Sequence, residues 1–147
     1  MFQTFLISSP SDIRLFKYAS NGQSLALVCS DKVLIYDSNS NLQAEISKNA
    51  LDVAFSPNGN YLLTYERYVK DPEGHKNFSI FSVASKSIIF QFTQKTLSNW
   101  GVQWTMDESI FGLLVTNEVQ FYKVDSMQSG TFSLFFFLPQ EWRFVLD

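Results

Sequence analysis

Residues 51–65, LDVAFSPNGNYLLTY, decide how the chain is read. An apolar, β-favouring run enters through residues 51–56 and Pro57-Asn58-Gly59 supplies a tight turn. Proline presets the turn's φ there, and glycine accepts a positive φ without a Cβ clash. Residues 61–65 then return, again rich in residues that suit a pleated, half-buried surface, and the whole reads as a β-hairpin. The same grammar stands earlier, where residues 13–19 lead into Ser20-Asn21-Gly22 and residues 25–29 return. It recurs later, where Trp104 is followed by Asp107-Glu108. Aligning the turns sets Tyr18 beside Phe55 and Trp104, and Asn21-Gly22 beside Asn58-Gly59 and Asp107-Glu108. A third strand follows each hairpin, at residues 33–37, 78–82 and 119–123, and its fourth position is aromatic each time: Tyr36, Phe81 and Tyr122.

Self-similarity at this spacing is the mark of a stacked-repeat architecture, and short strands separated by turns at about 40 to 45 residues per unit are the mark of a propeller. The chain is therefore expected to be all-β, a partial WD40-like β-propeller with blades at 13–47, 51–92 and 101–124, the third incomplete. Residues 1–12 form a lead-in to the propeller segment 13–125, and residues 126–147 an atypical tail. Three blades leave two blade faces open where a ring would cover them, so an open, marginally stable fan is expected. Residues 130–147 hold five of the fifteen phenylalanines without period-2 alternation, and Phe135, Phe136 and Phe137 are consecutive. That tail reads as a segment left by truncation or alternative splicing, and residues 132–138 would be aggregation-prone if exposed.

A hydrophobic content of 46% and an aromatic content of 16% in 147 residues support a globular core. The net charge of −3 has the wrong sign for binding nucleic acid through a bulk field, so any RNA contact has to be local. Cys29 is the single cysteine, which excludes an internal disulfide and points to the cytoplasm. Residues 5–7 are apolar but lack the basic flank and length of a signal peptide, and the apolar run 134–138 is far below the roughly 20 residues of a membrane span. No membrane association is expected.

Catalytic chemistry finds little to work with. His75, the single histidine, sits in a polar loop, and with Cys29 on another blade the two make no metal site. The acid pairs Asp107-Glu108 and Asp71 with Glu73 fall in turns, where solvation accounts for them. The chain is expected to be no enzyme, to hold no cofactor or metal and to take no small-molecule substrate. Arg14, Lys17, Lys32, Lys48, Lys86 and Lys95 are scattered singly, the usual dress of a soluble surface. Residues 67–77 form an inserted loop that is either a solvated connection or a partner-binding loop. Lys95 leads toward Trp100, which with Trp104 reads as a packing anchor. The candidate partner or RNA contacts are Arg67, Lys70, Lys76 and Lys95.

Phe92-Thr93-Gln94-Lys95, Asn99-Trp100, Trp104, Asp107-Glu108 and Asn117-Glu118-Val119-Gln120-Phe121 together resemble a run of the eukaryotic translation initiation factor 2A family. Asp52-Val53-Ala54-Phe55-Ser56-Pro57-Asn58-Gly59 with Leu62 and Thr64 resembles that family's second blade opening. Ser20-Asn21-Gly22 with Asp31-Lys32-Val33 resembles its first. The resemblance covers about residues 13–123 and implies a non-enzymatic propeller that associates with the small ribosomal subunit and takes part in initiator tRNA delivery and translation regulation. Contacts to initiator tRNA and mRNA would run through later blades and a charged region that this sequence lacks. The alternative is a generic WD40-like scaffold for protein–protein interaction, related for example to the b subunit of initiation factor 3.

Overall fold

The computed structural model describes residues 12–70, 73–95, 101–115 and 118–125. Eleven strands run along them: β1 Leu15–Tyr18, β2 Ser24–Val28, β3 Val33–Asp37, β4 Leu42–Ile46, β5 Ala50–Phe55, β6 Tyr61–Glu66, β7 Phe78–Ser82, β8 Ser87–Phe92, β9 Gln103–Trp104, β10 Ile110–Val115 and β11 Glu118–Lys123. They form three antiparallel sheets, ordered β1-β2-β3-β4, β5-β6-β7-β8 and β9-β10-β11, and no α-helix occurs among the described residues. The all-β, blade-like architecture read from the sequence is the one observed. The chain divides between Gly101 and Val102 into two compact units, so the first two sheets form one unit and the third belongs to the other.

Register follows the turn alignment closely. Tyr18 pairs with Leu25 and Leu25 with Tyr36 in the first sheet; Phe55, Leu62 and Phe81 form the same row in the second; Trp104, Phe111 and Tyr122 form it in the third. The matched aromatics are thus structurally equivalent, each on the third strand opposite the second residue of the return strand. The turns are equivalent as well. The amides of Gly22, Gly59 and Glu108 donate to the carbonyls of Ala19, Ser56 and Thr105, at 2.9, 3.0 and 2.9 Å. All three residues are left-handed, with φ of 71°, 77° and 58°. Glycine takes that conformation freely, whereas an L residue with a Cβ does so at a cost of about 1–2 kcal/mol.

Glu108 departs from the expectation of a solvated acid pair. It is 3% exposed, while Asp107 beside it is exposed. Trp100 lies outside the described residues, as do Asp71, residues 1–11 and residues 126–147, on which the lead-in and tail readings fall. Trp104 is half-buried, with its ring 5.1 Å from that of Phe111, which stacks on Tyr122 at 5.2 Å.

The core of the first unit lies between its two sheets. Ala26, Val28, Val33, Ile35, Ala44 and Ile46 of the first sheet pack on Ala50, Val53, Leu62 and Phe81 of the second. Small and branched residues on one side let larger ones approach from the other, and each fully buried Leu or Phe is worth roughly 1.5–3 kcal/mol. The turns pack along with the sheets. The side-chain amide of Asn21 donates to the carbonyl of Asn58, and a Cβ added at Gly59 would lie 3.0 Å from that of Ala19.

Arg14 also proves to be more than a scattered surface cation. One of its guanidinium nitrogens donates to the carbonyls of Cys29 at 2.9 Å and Ala50 at 2.7 Å and to the side chain of Asn49 at 3.2 Å, tying the first sheet to the start of β5. Lys48 likewise forms a 2.9 Å ion pair with Glu66, their side chains only 17% and 14% exposed. Arg14 is structural because the groups it ties meet only when the two sheets pack, and Lys48 because it closes the end of the second sheet where Ala50 pairs with Glu66.

Candidate functional site

The second sheet has two unlike ends. At one, the turns after β5 and β7 are short. At the other, the exit of β6, the entry to β7 and the exit of β8 converge, because Tyr65 pairs with Phe78 and Phe78 with Phe92. Asn77 sits where they meet and is fully buried. Its amide nitrogen donates to the carbonyls of Glu66 at 3.2 Å and Gln94 at 2.8 Å, and its side-chain oxygen accepts from the amide of Gln94 at 2.8 Å. The amide of Glu66 in turn donates to the carbonyl of Asn77 at 2.8 Å. A buried amide is tolerated when its donors and acceptor are used, as they are here, and it then pins one arrangement. The hydroxyl of Thr93 donates to the carbonyl of His75 at 3.0 Å and closes the outer side of this clip.

Arg67 follows the clipped Glu66, Lys76 precedes Asn77, and Lys95 follows Gln94. Three cations that stand far apart in sequence therefore leave from one buried hub, and Lys70 lies further along the same β6–β7 connection. All four side chains are exposed. The ion pairs formed among the described residues, Lys17–Asp52, Lys32–Glu45 and Lys48–Glu66, leave them out. Asn77 was not singled out in the sequence. Its only signal there is a polar residue set directly before an apolar strand.

The remaining chemistry lies elsewhere. Cys29 is fully buried, and burial pushes its thiol pKa up, with the charge of Asp12 adding to the effect. It thus lacks the thiolate character and access a nucleophile needs. Asp107 accepts from the hydroxyl of Thr105 at 2.6 Å, from the amide of Ser109 at 3.1 Å and from the hydroxyl of Ser109 at 2.8 Å. These bonds, the one from Thr105 foremost, hold its carboxyl below the ordinary range, opposite to the shift a general acid requires. Among the described residues no three His, Cys, Asp or Glu side chains converge on a metal-sized site, and no helix is long and apolar enough to cross a membrane.

No family model matches the chain. The crystal structure of a eukaryotic initiation factor superposes with a TM-score of 0.77 at 33% identity, covering 84% of this chain and 32% of that one. The C-terminal WD40 domain of Sif2 superposes at 0.56 with 12% identity, over 78% of this chain and 32% of its own, a likeness of fold alone. With the matched rows and turns of the three sheets, these place the chain among WD40-like β-propeller proteins. In sequence, eukaryotic translation initiation factor 2A of Schizosaccharomyces pombe is 35% identical over 117 residues, 77% of this chain and 20% of the relative. Across about three quarters of its length the chain is homologous to part of eukaryotic translation initiation factor 2A. It spans about a fifth of the length of that curated relative.

Proposed function

We propose that this chain is a non-enzymatic binding module of the translation initiation machinery that associates with the small ribosomal subunit in the cytoplasm. The observation that carries the reading is the homology to eukaryotic translation initiation factor 2A. Residues 13–47, 51–92 and 101–124 are taken as its blade units. Initiator tRNA and mRNA enter as partners of the whole factor, through regions beyond those matched here, with delivery of the tRNA and regulation of translation as the outcome. Arg67, Lys70, Lys76 and Lys95 form the proposed contact surface. They are exposed, three of them flank the residues joined by Asn77, and a binding role asks for positioned charge and no turnover.

Co-sedimentation with purified small subunits on a sucrose gradient tests the reading. The chain, or a version extended by the further blades of a relative, is expected in the subunit fractions. The ribosomal assignment fails if neither sediments there.

A generic scaffold for protein–protein interaction is favoured by one feature, the exposure of Phe16, Tyr18 and Leu42 on the first sheet. A pull-down dominated by non-ribosomal proteins would support it.

A further inference from the structure

We infer that the Asn77 end of the second sheet grips the phosphate backbone of RNA, an inference that rests on the ribosomal reading above and names the chemistry of its contact. The cations of the first unit are unevenly placed between its two ends. Arg14, Lys32, Lys48, Arg67, Lys70, Lys76 and Lys95 all lie at the end bearing the β2–β3, β4–β5 and β6–β7 connections. The opposite end, with the short turns, carries Lys86 and Asp37. At the basic end Lys32 is paired to Glu45, Lys48 to Glu66, and Arg14 is held by carbonyls. The side chain of Asp12 accepts from the amide of Ser30. Asp31 and Glu73 are the other acids described there. The cations outside the pairs are Arg67, Lys70, Lys76 and Lys95.

Their setting fits phosphate better than a protein surface. Protein interfaces are built around a desolvated apolar or aromatic centre. Among the described residues around these four most side chains are polar or charged, including His75, Thr93 and Gln94, with Tyr68 half-buried and Val69 exposed. Exposed ammonium and guanidinium groups are what neutralising phosphates requires, and the Asn77 clip holds the backbone at three of them in place before a ligand arrives. A chain of net charge −3 can bind RNA only through such a local patch, so the affinity should collapse steeply with salt.

The test uses the full chain and fluorescence anisotropy with a labelled oligouridylate, titrated at several salt concentrations beside the co-sedimentation assay. With four phosphates neutralised, log affinity should fall against log salt with a slope of about −3. Replacing Arg67, Lys70, Lys76 and Lys95 together by Ala should weaken binding at low salt at least tenfold and flatten the slope, with the melting temperature unchanged. Lys86→Ala, at the other end, should do neither. The inference is overturned if the wild-type chain does not bind the oligouridylate at low salt, or if the fourfold variant keeps both affinity and slope. It is also overturned if that variant loses the ribosomal subunit while keeping RNA affinity, since the contact is then to protein and the ribosomal reading stands. RNA binding that depends on the four cations, with no sedimentation by the chain or its extended version, supports the inference and removes the ribosomal reading alone.

Discussion

The row Phe55, Leu62, Phe81 and the row Tyr18, Leu25, Tyr36 occupy the same register in consecutive sheets, yet they meet different surroundings. In the second sheet Leu62 is 0% exposed and Phe81 4%, because the first sheet lies against them. In the first sheet Tyr36, the counterpart of Phe81, is also buried at 8%, but Tyr18 remains 56% exposed and Leu25 only partly packs against Leu27, Cys29, Leu34 and Tyr36. A repeat thus specifies strand pairing and side-chain direction, while burial depends on what its neighbour places opposite. In such nearest-neighbour architectures each unit's stability is a local term plus its interfaces.

The comparison breaks first at the leucines. Leu62→Ala should cost about 3 kcal/mol, since it removes buried methyls from between two sheets and leaves a cavity. Leu25→Ala should cost about 1 kcal/mol, because a half-exposed site loses less transfer energy and leaves no closed void. Chemical denaturation of the two variants measures the difference, and equal losses would mean that the rows are equally covered.

The turn glycines should differ next. Both are left-handed, but a Cβ at Gly22 meets nothing within 4 Å, whereas one at Gly59 meets Ala19 at 3.0 Å. Gly22→Ala should cost the conformational penalty alone, about 1 kcal/mol, and Gly59→Ala about twice that, as the turn-to-turn contact must also shift. Thermal melts of the pair read the gap.

A gain is expected in the third sheet. Glu108→Gly restores the residue that the other two turns use and should stabilise its sheet by about 1 kcal/mol through relief of the left-handed strain. Slower amide exchange in β9 to β11 would show it. Faster exchange would mean that the contacts of the buried Glu108 side chain outweigh the strain.

The smallest effect concerns pH. Asn21 and Asp107 hold the same turn position, and each accepts from the amide two residues on. The folded-state pKa of Asp107 is lowered, so its contribution to stability is complete above the ordinary carboxylate pKa and is lost as the pH falls through the lowered value. Asp107→Asn should leave stability at neutral pH nearly unchanged and flatten its decline in acid, as an acid titration followed by circular dichroism would reveal.

Much of the fold was legible because hairpin chemistry is local. A β-run, a turn with a residue able to take positive φ and a return strand are set within about 15 residues, which is why residues 51–65 could be matched to residues 13–29 and the rows came out in register. Glu108 was misread because the turn does not set burial at its fourth position, where Gly22 is exposed and Gly59 and Glu108 are buried. Arg14 and Lys48 were misread for a related reason, as their partners lie on strand ends separated from them by 15 to 36 positions.

The candidate site divides in the same way. The sequence marked Arg67, Lys70, Lys76 and Lys95 as candidate contacts and determined the turn positions and the hairpin strands of the first two blades, since turns built on left-handed residues are properties of short segments. Tertiary structure alone decided that Arg67, Lys76 and Lys95 leave from one place, through a buried Asn77 joining the exits of β6 and β8. It also decided that Leu62 is covered while Tyr18 is not. Both are contacts between residues distant along the chain, and what satisfies a buried amide or covers an apolar row is the neighbouring strand or sheet, which no local pattern contains.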